Sequence, residues 1–187
     1  SIDLSSRKTA LTQQEIIDLL VENIRDAIAS VNITAKNIIG IGLGIPGTIN
    51  IKTNRSEIIS RISEWNKTPI SDIIEKEVGV PVYVRNDAHL LALGVQQQLG
   101  LDETDFMYIA YRSGIGAAIL KNGVLAEGEF GNAGYIGHTV LDINGDLCNC
   151  GQRGCLETFS SKRTIEYKYA QVRSLDTRVS FNTLLEL

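Results

Sequence analysis

The stretch from Gly131 to Ser161, GNAGYIGHTVLDINGDLCNCGQRGCLETFSS, holds all three cysteines of the chain and one of its two histidines. His138 is followed by Cys148, Cys150 and Cys155 in a run broken by glycines. Four soft donors this close together suit a tetrahedral Zn²⁺, whose structural sites are closed by Cys₃His or Cys₂His₂ sets. Gly145, Gly151 and Gly154 let a short loop fold back on one ion. The competing reading is three unpaired thiols and a satisfied core histidine. Such clustering has no packing rationale, however, and it matches the cysteine arithmetic of metal sites.

The run Gly137-His138, then Cys148-x-Cys150-Gly151-x-x-Gly154-Cys155-Leu156-Glu157, resembles the zinc signature of the ROK family, which groups bacterial sugar kinases with sugar-responsive transcriptional repressors. The wording around it is more similar to the repressor branch. The resemblance covers roughly Asn37 to the end of the Cys/Glu block. It implies an α/β chain with the actin-like, ribonuclease H-like ATPase fold in an incomplete two-lobe architecture. Residues 1–103 would be the remainder of the N-terminal lobe, and 104–187 the start of the C-terminal lobe with its zinc loop at 131–157. It further implies a cytoplasmic homodimer that binds a small sugar and meets DNA only through a DNA-binding domain outside this chain.

Composition agrees with a globular protein. The 187 residues are 43% hydrophobic and 21% charged, enough for one large or two small cores. A net charge of −4 argues against direct binding to duplex DNA, which needs a concentrated basic surface. No apolar run approaches the length of a membrane span, and the first residues carry no apolar signal core. Reduced cysteines then fit a cytoplasmic setting.

In chain order, Thr12 followed by Glu15 gives a capping box. Ile16, Ile17, Leu20, Ile24, Ala27 and Ile28 recur at helical spacing behind it, predicting a helix whose apolar face packs on a sheet. Asn37–Gly44, NIIGIGLG, reads as a buried strand that leads into the turn Ile45-Pro46-Gly47-Thr48. Turn chemistry alone explains Pro46-Gly47; the resemblance adds that Gly47 reaches the sugar through its backbone. Trp65 is expected to be a packing anchor before a helix at Ile70–Val78.

Val80–Val84 predicts a strand that ends in Arg85-Asn86-Asp87-Ala88, before a helix running through Leu99. Asn or Asp before a helix is what an N-cap requires. The alternative comes from the resemblance: Asn86-Asp87-Ala88 matches the family's sugar-binding signature, in which the aspartate of the kinases is the general base and the asparagine binds a neighbouring hydroxyl. A carboxylate at a helix N-terminus has a lowered affinity for protons, so Asp87 suits a hydroxyl acceptor whether or not phosphoryl transfer follows.

Asp105–Leu120 predicts two strands, and the pair Asn122-Gly123 predicts a type I′ hairpin turn after them. Arg112-Ser113-Gly114-Ile115-Gly116 falls where the kinases place Gly-Thr-Gly-Ile-Gly to cradle ATP phosphates. Ser113, Gly114 and Gly116 are therefore candidates for a phosphate loop, with a purely structural glycine pair as the alternative. Arg112 stands in place of the first glycine.

The family's Gly-Glu-x-Gly-His is here Gly134-Tyr135-Ile136-Gly137-His138. The lost carboxylate, worth about 1.5 to 3 kcal/mol as a charged acceptor, weakens or retunes sugar recognition unless Tyr135 supplies stacking and a hydroxyl. His138 and Glu157 keep the family's sugar-facing identities; a plain outward charge is the alternative for Glu157. The kinases' opening Asp-x-Gly-x-Thr turn and their adenosine segments have no counterpart in this sequence. Mg-ATP and phosphoryl transfer, with Asp87 as general base, are thus the secondary expectation. The primary one is a sugar-sensing effector region of a repressor-like protein, and a ligand-free module that only dimerises is the third.

Overall fold

The computed structural model describes residues 12–31, 34–58 and 66–186. It divides into two compact units, one ending at Asp87 and the other beginning at Ala88.

The first unit opens with α1, Gln13–Ser30. The capping box is complete: Thr12 Oγ1 accepts from Glu15 N at 3.3 Å, and the Glu15 carboxylate accepts from Thr12 N at 2.8 Å. Both bonds satisfy donors that a helix start otherwise leaves unpaired. Ile16, Ile17 and Val21 of α1 are buried together with Ile70 and Ile74 of α2 (Ile70–Val78). The same cluster takes Ile45 from β1 (Ile41–Ile45), Ile49 from β2 (Thr48–Asn50), and Val82 and Val84 from β4 (Val82–Asn86). Each fully buried isoleucine contributes roughly 1.5–3 kcal/mol by leaving water. β2 pairs antiparallel with β3, Arg55–Ile58.

β1 and β4 run parallel, from Ile41 opposite Val82 to Ile45 opposite Asn86. The strand is shorter than the sequence reading at its start, because Ala35–Asn37 form a 3₁₀ turn held by Asn37 N donating to Thr34 O at 2.9 Å. Pairing begins only where Ile41 N reaches Pro81 O at 2.8 Å. β4 gains a further partner that no strand supplies. The Asn54 side chain donates to Val82 O and accepts from Val84 N, both at 2.7 Å, so one amide stands in for a strand. Trp65 lies outside the described residues.

The second unit carries α3 (Asp87–Leu99) from Ala88 onward, together with an antiparallel meander of β5 (Phe106–Tyr111), β6 (Ile115–Lys121) and β7 (Val124–Leu125). Asn122 and Gly123 have φ of 49° and 72°, as a type I′ turn requires. Ala92, Ala118 and Leu120 form its small core, with Phe106, Tyr108 and Leu125 against them. Small residues bring α3 close to β6: a methyl added at Gly116 would stand 3.7 Å from Ala88 Cβ. The chain continues through α4 (Leu156–Ser160), α5 (Lys162–Val172) and α6 (Phe181–Leu184). No helix among the described residues is long and apolar enough to cross a membrane.

Candidate metal centre and ligand residues

A short web of backbone bonds brings the cysteine loop back on itself. Cys148 N donates to Gln152 O at 2.7 Å, Gly151 N to Cys148 O at 2.9 Å, and Leu141 N to Gly154 O at 2.8 Å. Gly154 has φ of +66°, and a methyl there would fall 1.6 Å from Asp142 O, so only glycine lets the two arms close. His138 ends a 3₁₀ turn, Ile136–His138, and Cys155 immediately precedes α4.

The ligand atoms of His138, Cys148, Cys150 and Cys155 all lie within 4.8 Å of one another. Cys148 Sγ stands 3.5 Å from His138 Nδ1, and Cys150 Sγ stands 3.6 Å from Cys155 Sγ. A tetrahedral ion with bonds of about 2.3 Å to sulfur and about 2.1 Å to nitrogen has edges near about 3.6 Å (S to N) and about 3.8 Å (S to S). Those two edges match a tetrahedral divalent ion, so the four residues are a candidate site for one, with Nδ1 the imidazole atom beside a thiol. All three thiols are free. Burial raises the Cys148 thiol, and it pushes Cys155 from 9.0 up to about 12, with the neighbouring thiols adding to the effect. A divalent cation reverses that preference by stabilising the thiolates.

Glu157, in the first turn of α4, faces inward rather than out. Its Oε2 accepts from Ile115 N at 3.0 Å and lies so close to Gly114 that a methyl there would stand 2.6 Å away. The same oxygen would be 3.4 Å from a methyl on Gly137, next to His138. The α4–α5 junction clasps the same turn, since Lys162 N donates to Arg112 O at 3.2 Å and Tyr111 Oη to Ser160 O at 2.8 Å. The candidate phosphate turn, the metal loop and Glu157 thus meet in one place, although Ser113 is exposed. The Tyr135 ring lies 25° from parallel to His138, with centroids 6.5 Å apart.

In the first unit, Asn86 Nδ2 donates to Gly47 O at 3.0 Å, where Gly47 adopts φ of 112°. Asp87 follows as the first residue of α3. Two polar residues went unread in the sequence. Asn54 carried no spacing signal. His89, buried at 1% exposure, has as its only mark a lone polar side chain among Ala88, Leu90, Leu91 and Ala92.

The ROK family's sequence profile matches residues 3–186. A xylose repressor of Caldicellulosiruptor bescii is 32% identical over 87% of this chain and 41% of its own length. A glucokinase of Halalkalibacterium halodurans is 38% identical over 76% of this chain and 45% of its own. The crystal structure of a ROK glucokinase from Streptomyces griseus, in complex with glucose and AMPPNP, superposes with a TM-score of 0.74 at 31% identity, covering 89% of this chain and 51% of that one. The chain thus spans about half the length of these relatives or less. It shares the fold of the ROK kinases and repressors, and with a matching profile along nearly its whole length, this chain belongs to the ROK family.

Proposed function

We propose that this chain is the sugar-sensing effector region of a ROK-type transcriptional regulator, built around a structural Zn²⁺ held by His138, Cys148, Cys150 and Cys155. Four protein donors leave no open coordination position, so the ion fixes shape rather than activating water. With Nδ1 committed to the ion, the Nε2 edge of His138 is left to meet a sugar hydroxyl in a set orientation. Asn86 at the end of β4, Asp87 at the start of α3, the Gly47 backbone, Tyr135 and Glu157 are the other proposed contacts. The ligand is an aldose of the kind named for the relatives, a xylose or a glucose. Sugar occupancy changes the DNA affinity of the whole regulator only if the sugar binds its two states unequally.

The observation that carries this reading over catalysis is the Glu157–Ile115 contact. A phosphate-cradling turn offers its amides to an anion, whereas here a carboxylate already occupies the Ile115 amide and sets a negative charge against Gly114.

Calorimetric titration of the zinc-loaded protein with D-xylose and D-glucose tests it. Binding is expected with at least one, weakened about tenfold or more by Asp87→Asn, in line with the loss of a charged hydrogen bond. A folded, zinc-loaded sample that gives no heat with either sugar, or with any other pentose, hexose or N-acetyl sugar, would remove the sensor reading.

The glucokinase relative favours a second reading, a sugar kinase using Mg-ATP with Asp87 as general base. ADP release coupled to sugar, abolished by Asp87→Asn, would place it first.

A further inference from the structure

His89 is buried at 1% exposure on α3, and its Nε2 stands 2.9 Å from the carbonyl oxygen of Ala133. A carbonyl only accepts, so Nε2 carries the proton and donates. Ala133 opens the segment that leads into the metal loop. It is followed by Gly134, whose carbonyl accepts from Ala117 N at 2.9 Å and from Ile136 N at 2.7 Å. A methyl on Gly134 would fall 2.3 Å from Ala117 O, so this backbone lies directly on β6. From there the bonds run unbroken: His138 N donates to Tyr135 O at 3.2 Å, and Thr139 N to Ile136 O at 3.1 Å. His138 therefore stands at the end of a hydrogen-bonded segment that is held at strand β6 through Gly134 and twice at Ala133, whose carbonyl meets the His89 imidazole and whose N donates to Glu127 O at 3.2 Å.

We infer that His89 is a positioning residue. Through Ala133 it sets where Tyr135 and His138 stand, and so tunes both the affinity of the metal centre and the sugar-facing edge. The inference rests on the proposed metal and sugar roles of that loop, but its metal arm can be read without any sugar. The physical reason for an imidazole here is economy of contacts. The side chain is itself buried, and its one N–H reaches a carbonyl, so it fills interior space without leaving that donor unpaired. An aliphatic side chain of similar size keeps the packing and loses the bond, whereas a glutamine amide reaches nearly as far as Nε2 and keeps it.

The test uses the whole chain in three forms: wild type, His89→Leu and His89→Gln. Zinc affinity is measured by chelator competition and site geometry by the visible absorption of the Co²⁺-loaded protein. For His89→Leu, zinc binding about tenfold weaker is expected, at the low end of what outer-shell changes cost, along with a shifted Co²⁺ spectrum. His89→Gln should restore both. Equal zinc affinity and spectra in all three proteins would overturn the inference. So would equal impairment of the Leu and Gln variants, which would mean that packing alone matters. If His89→Leu does not fold, His89→Asn replaces it. That amide is too short to reach, so an Asn variant matching the Gln variant overturns the inference and a divergent one supports it. An altered metal site with no sugar binding in any form, wild type included, would sink the sugar reading alone and leave His89's role standing.

Discussion

Gly114 and Gly154 flank the same centre, but an added methyl meets different kinds of obstacle at each. At Gly114 the obstacle is the carboxylate tip of Glu157, 2.6 Å away, which can swing aside at the cost of its bond to Ile115. At Gly154 it is the backbone oxygen of Asp142 at 1.6 Å, with φ of +66° besides. Gly114→Ala should therefore cost about 1.5 kcal/mol. Gly154→Ala should cost more, on the order of 3 kcal/mol, and weaken metal binding as well. Urea unfolding of the two variants gives the order, and the reverse order would contradict the geometry. Burial also sets a pH dependence for the metal-free protein. Because burial pushes the Cys155 thiol up from 9.0 to about 12, its neutral form is the one the fold favours. That contribution is complete below about pH 9 and is lost as pH rises toward about 12. Metal binding runs the other way, weakening as pH falls because protons compete for the thiolates. Denaturant melts of chelated protein across the alkaline range, and zinc titrations across the acidic one, check the two signs. The candidate metal cluster was legible in the sequence because its four residues lie within one loop. Glu157's partner Ile115 and His89's partner Ala133 are too distant in sequence for any spacing rule to expose.

The elements were the most readable part where local chemistry decides them. The Thr12–Glu15 box, the helix at Ile70–Val78 and the Asn122-Gly123 turn all stand as the residues imply. β1 was over-long in the sequence because its apolar, glycine-alternating run continues upstream of the point where a partner strand begins. Pairing, a tertiary property, set its start. The α4–α5 junction shows how an element boundary supports the site. Ser161 Oγ accepts from Thr164 N at 3.2 Å as the N-cap of α5, and Thr164 Oγ1 donates to Glu157 O at 2.9 Å. Ser161→Ala should cost about 1 kcal/mol and loosen the helix that carries Glu157. A thermal melt reads the first effect, and faster amide exchange at Ile115 reads the second. Unchanged exchange would mean that the cap stabilises α5 without bearing on the site.

At the scale of the whole molecule, family membership follows from a profile matching residues 3–186 and from a fold shared with a ROK glucokinase at a TM-score of 0.74. Resemblance in the cysteine block pointed there from sequence alone. It placed sensing ahead of phosphoryl transfer because the wording of the block is more similar to the repressor branch, although both branches share the sugar contacts. Glu157 lying across the Ile115 amide is the contact on which the proposed sensing reading rests. Everything proposed for the second unit depends on one ion ordering residues 131–157, a segment that buries little apolar side chain of its own: Leu141, Ile143 and Leu147 are all exposed. The most direct measurement is elemental analysis of the purified, untagged protein, paired with its cooperative unfolding before and after chelation. The prediction is one zinc per chain, with a large drop in melting temperature on removal and recovery when zinc is added back. Folded protein that holds no zinc, takes none up on titration and melts at the same temperature with and without chelator would contradict it.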